Sequence, residues 1–278
     1  MPKVIILGSS NAVPTKGSEN THMAVVGKER MVLIDCVSNP ILRLEEAGLD
    51  FNNLTDIIVT HFHPDHVSGL PLLLMDMWLL GRQKPLNIYG LHYTLDRVVT
   101  MMGLYNWSDW PNFFPVTFYR IPSKELTEVM TCPDFKIHAS PVHHMIPNIG
   151  LRIEFGESEQ VMAYSCDTAM CDEVVRLSEG ADVLIHEATG DTNGHSSAKQ
   201  AGETAQKAEV GKLYLIHYAT GKFAKDNLVE EAKTAFSGET ELAKDFMEID
   251  FSKKSPLAET RERLKFAEVK PTSYQPEM

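Results

Sequence analysis

The sequence predicts a mixed α/β layered fold, on three observations. Short apolar runs alternate with helix-length stretches along most of the chain. The early part is rich in hairpin signals, which does not suit a doubly wound parallel sheet. No Gly-, Pro- or Ser-rich linker divides the 278 residues. One domain is therefore expected over residues 1–254, with 255–278 as a polar, weakly patterned tail.

Residues 4–7 read as the first strand, followed by a Gly/Ser/Asn/Pro loop to about Thr21. Strands at 23–26 and 31–34 pair around a turn at 27–30. Residues 40–47 read as a short helix closed by Gly48. A buried strand at 56–60, carrying Ile57, Ile58 and Val59, runs directly into a histidine-rich loop at 61–68. A helix at 70–80 stops at Gly81. It is the longest apolar run, is broken by Asp76, and is too short to span a membrane. A strand at 86–89 and a helix at 91–102 follow.

Residues 105–118 carry Tyr105, Trp107, Trp110, Phe113, Phe114 and Phe118, with Pro111 and Pro115 to break regular structure. Core or interface packing is the simpler reading, and a pocket wall for an aromatic or nucleobase group is the alternative. Strands then fall at 116–121, 135–142, 150–155 and 161–164. A helix at 171–179 precedes a strand at 183–185 that ends on His186-Glu187. An amphipathic helix at 197–208 leads to a strand at 213–216 ending on His217. A helix at 228–236 and a strand at 246–251 complete the pattern.

Lysine and arginine number 26 against 38 acidic residues, a net charge of −12. Such a chain approaches a polyanion at a cost unless one patch is locally basic, so RNA is disfavoured as a partner. Cys36, Cys132, Cys166 and Cys171 form no disulfide framework and read as reduced, intracellular thiols. The apolar N-terminal run is too short for a secretion signal. A cytoplasmic protein without a membrane partner is expected.

The chemistry concentrates in His61-Phe62-His63-Pro64-Asp65-His66, directly after an apolar strand. In extended chain, residues i and i+2 project the same way, so His61 and His63 can share one ion. Asp65 and His66, on the following turn, can reach a second. Imidazole with carboxylate suits Zn, Mn or Fe. Other strand ends repeat the arrangement of apolar strand, then His or Asp. They are His143-His144, Asp167 in Ser165-Cys166-Asp167-Thr168, and His217. Asp35, Thr60 and Thr168 are candidates for orienting the imidazoles.

This constellation resembles the metallo-β-lactamase superfamily. Within it, the chain is similar to the ribonuclease Z branch. The matching segments are His144-Met-Ile-Pro-Asn-Ile-Gly150, Leu184-Ile-His-Glu-Ala-Thr189 and Gly194-His-Ser-Ser-Ala198. The resemblance covers most of residues 1–251 and selects His144 over His143. It implies an αββα sandwich with a dinuclear site at one edge, binding two divalent metal ions, most simply zinc. His61, His63 and His144 would hold the first ion. Asp65, His66 and His217 would hold the second, with Asp167 bridging and a hydroxide between the ions as nucleophile. His195 and Glu187 match the branch's proton-delivery pair. Catalytic roles thus fall to Asp65, His195 and Glu187. Ser196 and Ser197 would cap the next helix or hold a substrate phosphate. His186 and His143 read as packing or surface residues. A homodimer is the branch's usual state.

The chain also departs from the branch. Ribonuclease Z inserts a long tRNA-gripping arm between its third histidine and its bridging aspartate, but here only 22 residues separate His144 from Asp167. Ser-Gly-Asp becomes Ser165-Cys166-Asp167, and the early Asp-Cys-Gly-Glu segment becomes Asp35-Cys-Val-Ser38. These losses point to a small or nucleotide-like phosphodiester as substrate. The alternatives are precursor tRNA 3′-end cleavage, arylsulfatase or lactonase chemistry, and a metal-sensing scaffold without turnover.

Overall fold

The computed structural model describes residues 2–258 and Arg261. Two mixed sheets of seven strands each carry the fold. The first contains β1 (Lys3–Gly8), β2 (His22–Val26), β3 (Met31–Ile34), β4 (Asp56–Ile58), β5 (Leu86–Leu91) and β6 (Val116–Ile121). The second runs in spatial order from β7 (Thr127–Thr131) through β8 (Phe135–Val142), β9 (Asn148–Phe155), β10 (Val161–Tyr164), β11 (Val183–Glu187) and β12 (Lys212–Ile216) to β13 (Glu239–Leu242). The last strand, β14 (Glu248–Asp250), returns to the first sheet beside β1.

Each sheet is antiparallel at one end and parallel at the other. β14, β1, β2 and β3 pair antiparallel, then β3 to β6 pair parallel. β7 to β10 pair antiparallel, then β10 to β13 pair parallel. As a result β8, β10, β11 and β12 all run one way. Their C-terminal ends lie along one edge, where loops can carry function.

Side-chain alternation explains the layers. In β1, Val4 and Ile6 join the core between the sheets, while Ile5 and Leu7 face outward. In β12, Tyr214 and Ile216 point inward, and Leu213 and Leu215 outward. The outer face of the first sheet is covered by α1 (Pro40–Glu46), α3 (Leu70–Leu79) and α4 (His92–Leu104); a single turn, α2 (Pro64–Val67), precedes α3. The second sheet is covered by α5 (Asp172–Ser178), α6 (Ala198–Lys207) and α7 (Leu228–Lys233). The result is an αββα sandwich, as the resemblance implied. Burying each large aliphatic side chain in these layers contributes about 1.5–3 kcal/mol.

Two strands escape the sequence pattern. β7 and β13 read Thr-Glu-Val-Met-Thr and Glu-Thr-Glu-Leu, because as edge strands they need bury only part of each residue. β4 ends at Ile58, earlier than expected, since Thr60 donates its backbone N–H to the Asp35 carboxylate instead of a neighbouring strand. The aromatic stretch packs: Trp107, Trp110, Phe113 and Phe118 lie against the outer core of the first sheet, and Trp110 stacks on Trp78 at 5.0 Å.

Much of the expected tail lies outside the described residues. Ser255 and Arg261, at its start, both hydrogen-bond Asp182 beside the second sheet. Among the described residues, no helix is long and apolar enough to cross a membrane.

Candidate metal centre

The predicted ligands converge in two adjoining clusters. His61 and His63 come from the loop after β4. His144, after β8, meets them from the other sheet. His61 Nε2 lies 3.0 Å from His63 Nδ1, which lies 3.1 Å from His144 Nε2. These three nitrogens face one point, so one ion could accept all three.

The second cluster joins Asp65 and His66 of α2 to Asp167, after β10, and His217, after β12. His66 Nε2 is 3.5 Å from both Asp65 Oδ2 and Asp167 Oδ2. His217 Nε2 is 3.5 Å and 3.4 Å from the same two oxygens. The clusters touch through His61 and His66, whose ring centroids are 4.1 Å apart. His66 Nε2 and Asp167 Oδ1 are buried without a hydrogen-bond partner. Orphaned buried polar atoms are rare. These two, within a set of imidazole and carboxylate donors, fit divalent cations.

Four of the five ligand rings, His61, His66, His144 and His217, are held by their other nitrogen. His66 Nδ1 donates to Asp35 Oδ2 at 2.7 Å. Thr60 Oγ1 donates to Asp35 and lies 3.2 Å from His61 Nδ1. His144 Nδ1 donates to the Gly194 carbonyl at 2.8 Å. His217 Nδ1 donates to Thr189 Oγ1 at 2.9 Å, and that hydroxyl donates on to the His217 carbonyl. Such partners fix the tautomer and aim the free lone pair inward. Three strand-end residues bend the chain here with left-handed backbones: Asp35 (φ 62°), Cys166 (φ 52°) and His217 (φ 54°). Non-glycine residues seldom adopt this region. It explains why the related motif has glycine where Cys166 stands.

Electrostatics prepare the donors. Burial pushes the His61 imidazole well below its usual range, helped by the neighbouring His66. Burial likewise lowers His63 and His144. All three favour the neutral form a cation needs. Burial alone would raise Asp167, yet His217 and His66 hold its carboxyl well below the usual range. Burial would lower His66, but Asp167 and Asp35 keep it well above. A cation would displace that proton and satisfy the same carboxylates.

Glu187 ends β11, fully buried. Its Oε1 accepts from the Thr168 N–H and from His195 Nδ1, both at 2.9 Å, and its Oε2 accepts from the Thr189 N–H. His195 lies over His144, 4.9 Å between ring centroids, and stacks near His217 at 5.9 Å. Burial would lower this imidazole, but the Glu187 hydrogen bond raises it overall.

Not every expected role survives. Thr168 touches no metal-facing imidazole. Its N–H holds Glu187, and its hydroxyl accepts from the His143 N–H. Ser197 caps α6 in a capping box with Gln200, while the buried Ser196 hydroxyl donates to the Thr168 carbonyl and is not open to a phosphate. His186 is buried within β11. Thr189 and Gly194 stand in the matching segments, but sequence assigned them no orienting role, because a contact to a distant imidazole leaves no local signature.

A family model, the beta-lactamase superfamily domain, matches residues 30–218. The chain belongs to the metallo-β-lactamase superfamily. Within that superfamily it is ribonuclease Z-like, and hence a metal-dependent hydrolase. It is 27% identical to a ribonuclease Z of Methanothermobacter thermautotrophicus, covering 90% of this chain and 97% of that one. It is 30% identical to a ribonuclease Z of Thermococcus kodakarensis, covering 84% and 88%. The first alignment spans 307 positions, more than the whole of this superfamily member, so the relative carries inserted segments that this chain lacks. The human short-form tRNase Z superposes with a TM-score of 0.73 at 24% identity, over 90% of this chain and 98% of that one.

Proposed function

We propose that the chain hydrolyses a small or nucleotide-like phosphodiester with two divalent metal ions, most simply zinc, with manganese or iron also suited to the donors. His61, His63 and His144 would hold one ion, Asp65, His66 and His217 the other, and Asp167 both. When bound, such ions acidify water towards neutral pKa and neutralise charge growing on phosphate oxygens. The remaining work falls to the chain's own groups. Asp35, Thr60, Gly194 and Thr189 keep the ligand rings aimed. His195 delivers a proton from its outer nitrogen to the departing oxygen, while Glu187 holds Nδ1 and stabilises the charged ring.

The His195–Glu187 pair, set against both clusters, carries this reading. An alkoxide leaving group needs an acid, and the buried Glu187 carboxylate favours the charged form of that imidazole. The restriction to small substrates rests on the tight turn at 156–160 between β9 and β10, where the resemblance to ribonuclease Z would place a tRNA-gripping arm. The ribonuclease Z names of the relatives favour a second reading, precursor tRNA cleavage.

The two readings part in one assay. Metal-loaded protein is offered bis-p-nitrophenyl phosphate, a 2′,3′-cyclic nucleotide, an aryl sulfate and a precursor tRNA. Turnover of the diesters without tRNA cleavage is expected. Efficient 3′-end cleavage of the tRNA would install the second reading, and turnover of the sulfate alone would overturn both.

A further inference from the structure

A separate group of metal-ligating side chains lies outside the centre just described. His143, Cys171 and Glu173 each offer a donor atom, all within 4.8 Å of one another. His143 precedes His144 on the loop after β8. Cys171 is the N-cap of α5, and Glu173 lies in its first turn. His143 Nε2 is 3.4 Å from Glu173 Oε2, a spacing two ligands of one ion can share.

Cys171 packs beside Val142 and Val174, and Glu173 turns Oε1 to Arg176 Nη2 at 3.4 Å, which leaves its Oε2 towards His143. The His143 side chain is 64% exposed, so it is not a packing residue. Its backbone, by contrast, is fixed. The His143 N–H donates to Thr168 Oγ1 at 3.1 Å, and the Ala169 N–H donates to the His143 carbonyl at 2.8 Å. The loop bearing His143 is thereby pinned to the segment leading into Cys171. Cys171 is 8% exposed, with its sulfur 3.6 Å from Thr168 Oγ1. Donors from two segments are thus brought together before any ion arrives.

We propose that His143, Cys171 and Glu173 form a third metal site, selective for a thiophilic divalent ion of the zinc class, with water completing the coordination. An imidazole, a thiolate and a carboxylate make a borderline-soft donor set that magnesium and calcium disfavour. Burial keeps the free thiol protonated, and a coordinating cation removes that proton outright. The ion ties the loop bearing His144 to the start of α5.

Cobalt(II) is the probe, because the seven-ligand centre contains no sulfur donor. Wild-type protein titrated with Co²⁺ should develop a thiolate-to-cobalt charge-transfer band in the near ultraviolet, with three ions bound per chain. Cys171→Ser should abolish the band and reduce the stoichiometry from three to two. His143→Ala should weaken the band, with the diesterase rate of the two-ion protein unchanged. Cys166→Ser should keep it, although Cys166 also lies close to His61 and His66. A saturated wild-type protein with no such band would overturn the proposal. So would a band that survives Cys171→Ser or disappears with Cys166→Ser.

Discussion

The His195 imidazole shows how much one hydrogen bond decides. Burial alone would leave it neutral, and the Glu187 carboxylate reverses that. A raised pKa keeps the acid form populated above the ordinary histidine range. His195→Ala should therefore slow cleavage of an alkyl diester by about 100- to 10,000-fold, while bis-p-nitrophenyl phosphate, whose leaving group needs no proton, loses far less. Equal losses on both substrates would remove His195 from proton delivery. In Glu187→Gln, the basic limb of the alkyl-diester pH–rate profile should move to lower pH, because the group that raises the imidazole is gone. Asp35 acts at the same scale through His66. Asp35→Ala should weaken metal binding by about 10- to 100-fold, read by competition with a chelator. Most metal-facing groups were legible because they are titratable residues placed just after apolar strands. Asp35 and Thr60 were legible only as candidates, and Thr189 only as part of a matching segment with no role assigned, since the contact that employs each one spans distant sequence.

At the scale of elements, the inner parallel strands of the second sheet were easy to foresee. Buried on both faces, they read as continuous apolar runs, as β11 does with Val-Leu-Ile. The edge strands β7 and β13 and the single-turn α2 lacked that signal. Packing between helices was invisible to periodicity as well. A Cβ on Gly202 of α6 would meet the Ala232 carbonyl oxygen of α7 at 2.3 Å. Alanine gains about 1 kcal/mol of helix propensity over glycine. Displacing a neighbouring helix costs about 1–3 kcal/mol. The clash is with backbone rather than a flexible tip, so it should win. Gly202→Ala is expected to lower stability in a denaturant titration, and an unchanged or raised midpoint would show that α7 shifts freely.

At the scale of the molecule, neither sheet contains a complete site. His61, His63, Asp65 and His66 follow a strand of the first sheet, and His144, Asp167 and His217 follow strands of the second. Each cluster draws on both. The apolar layer that joins the sheets, with Ile6, Ile34, Ile153 and Ile185, therefore also assembles the chemistry. The two sheets share one order of pairings although the chain shows no repeat in sequence, since strand direction and hydrophobic alternation tolerate wide substitution. The short turn at 156–160 joins β9 directly to β10. The account stands or falls on whether the assembled groups hold two working ions. The most direct measurement uses Cys171→Ser protein, in which the lateral cluster is disabled, and determines metal per chain together with bis-p-nitrophenyl phosphate turnover. Two ions per chain are expected, with turnover abolished both by chelation and by Asp167→Ala. Full turnover by the metal-free protein, or by an Asp167→Ala variant, would contradict the account.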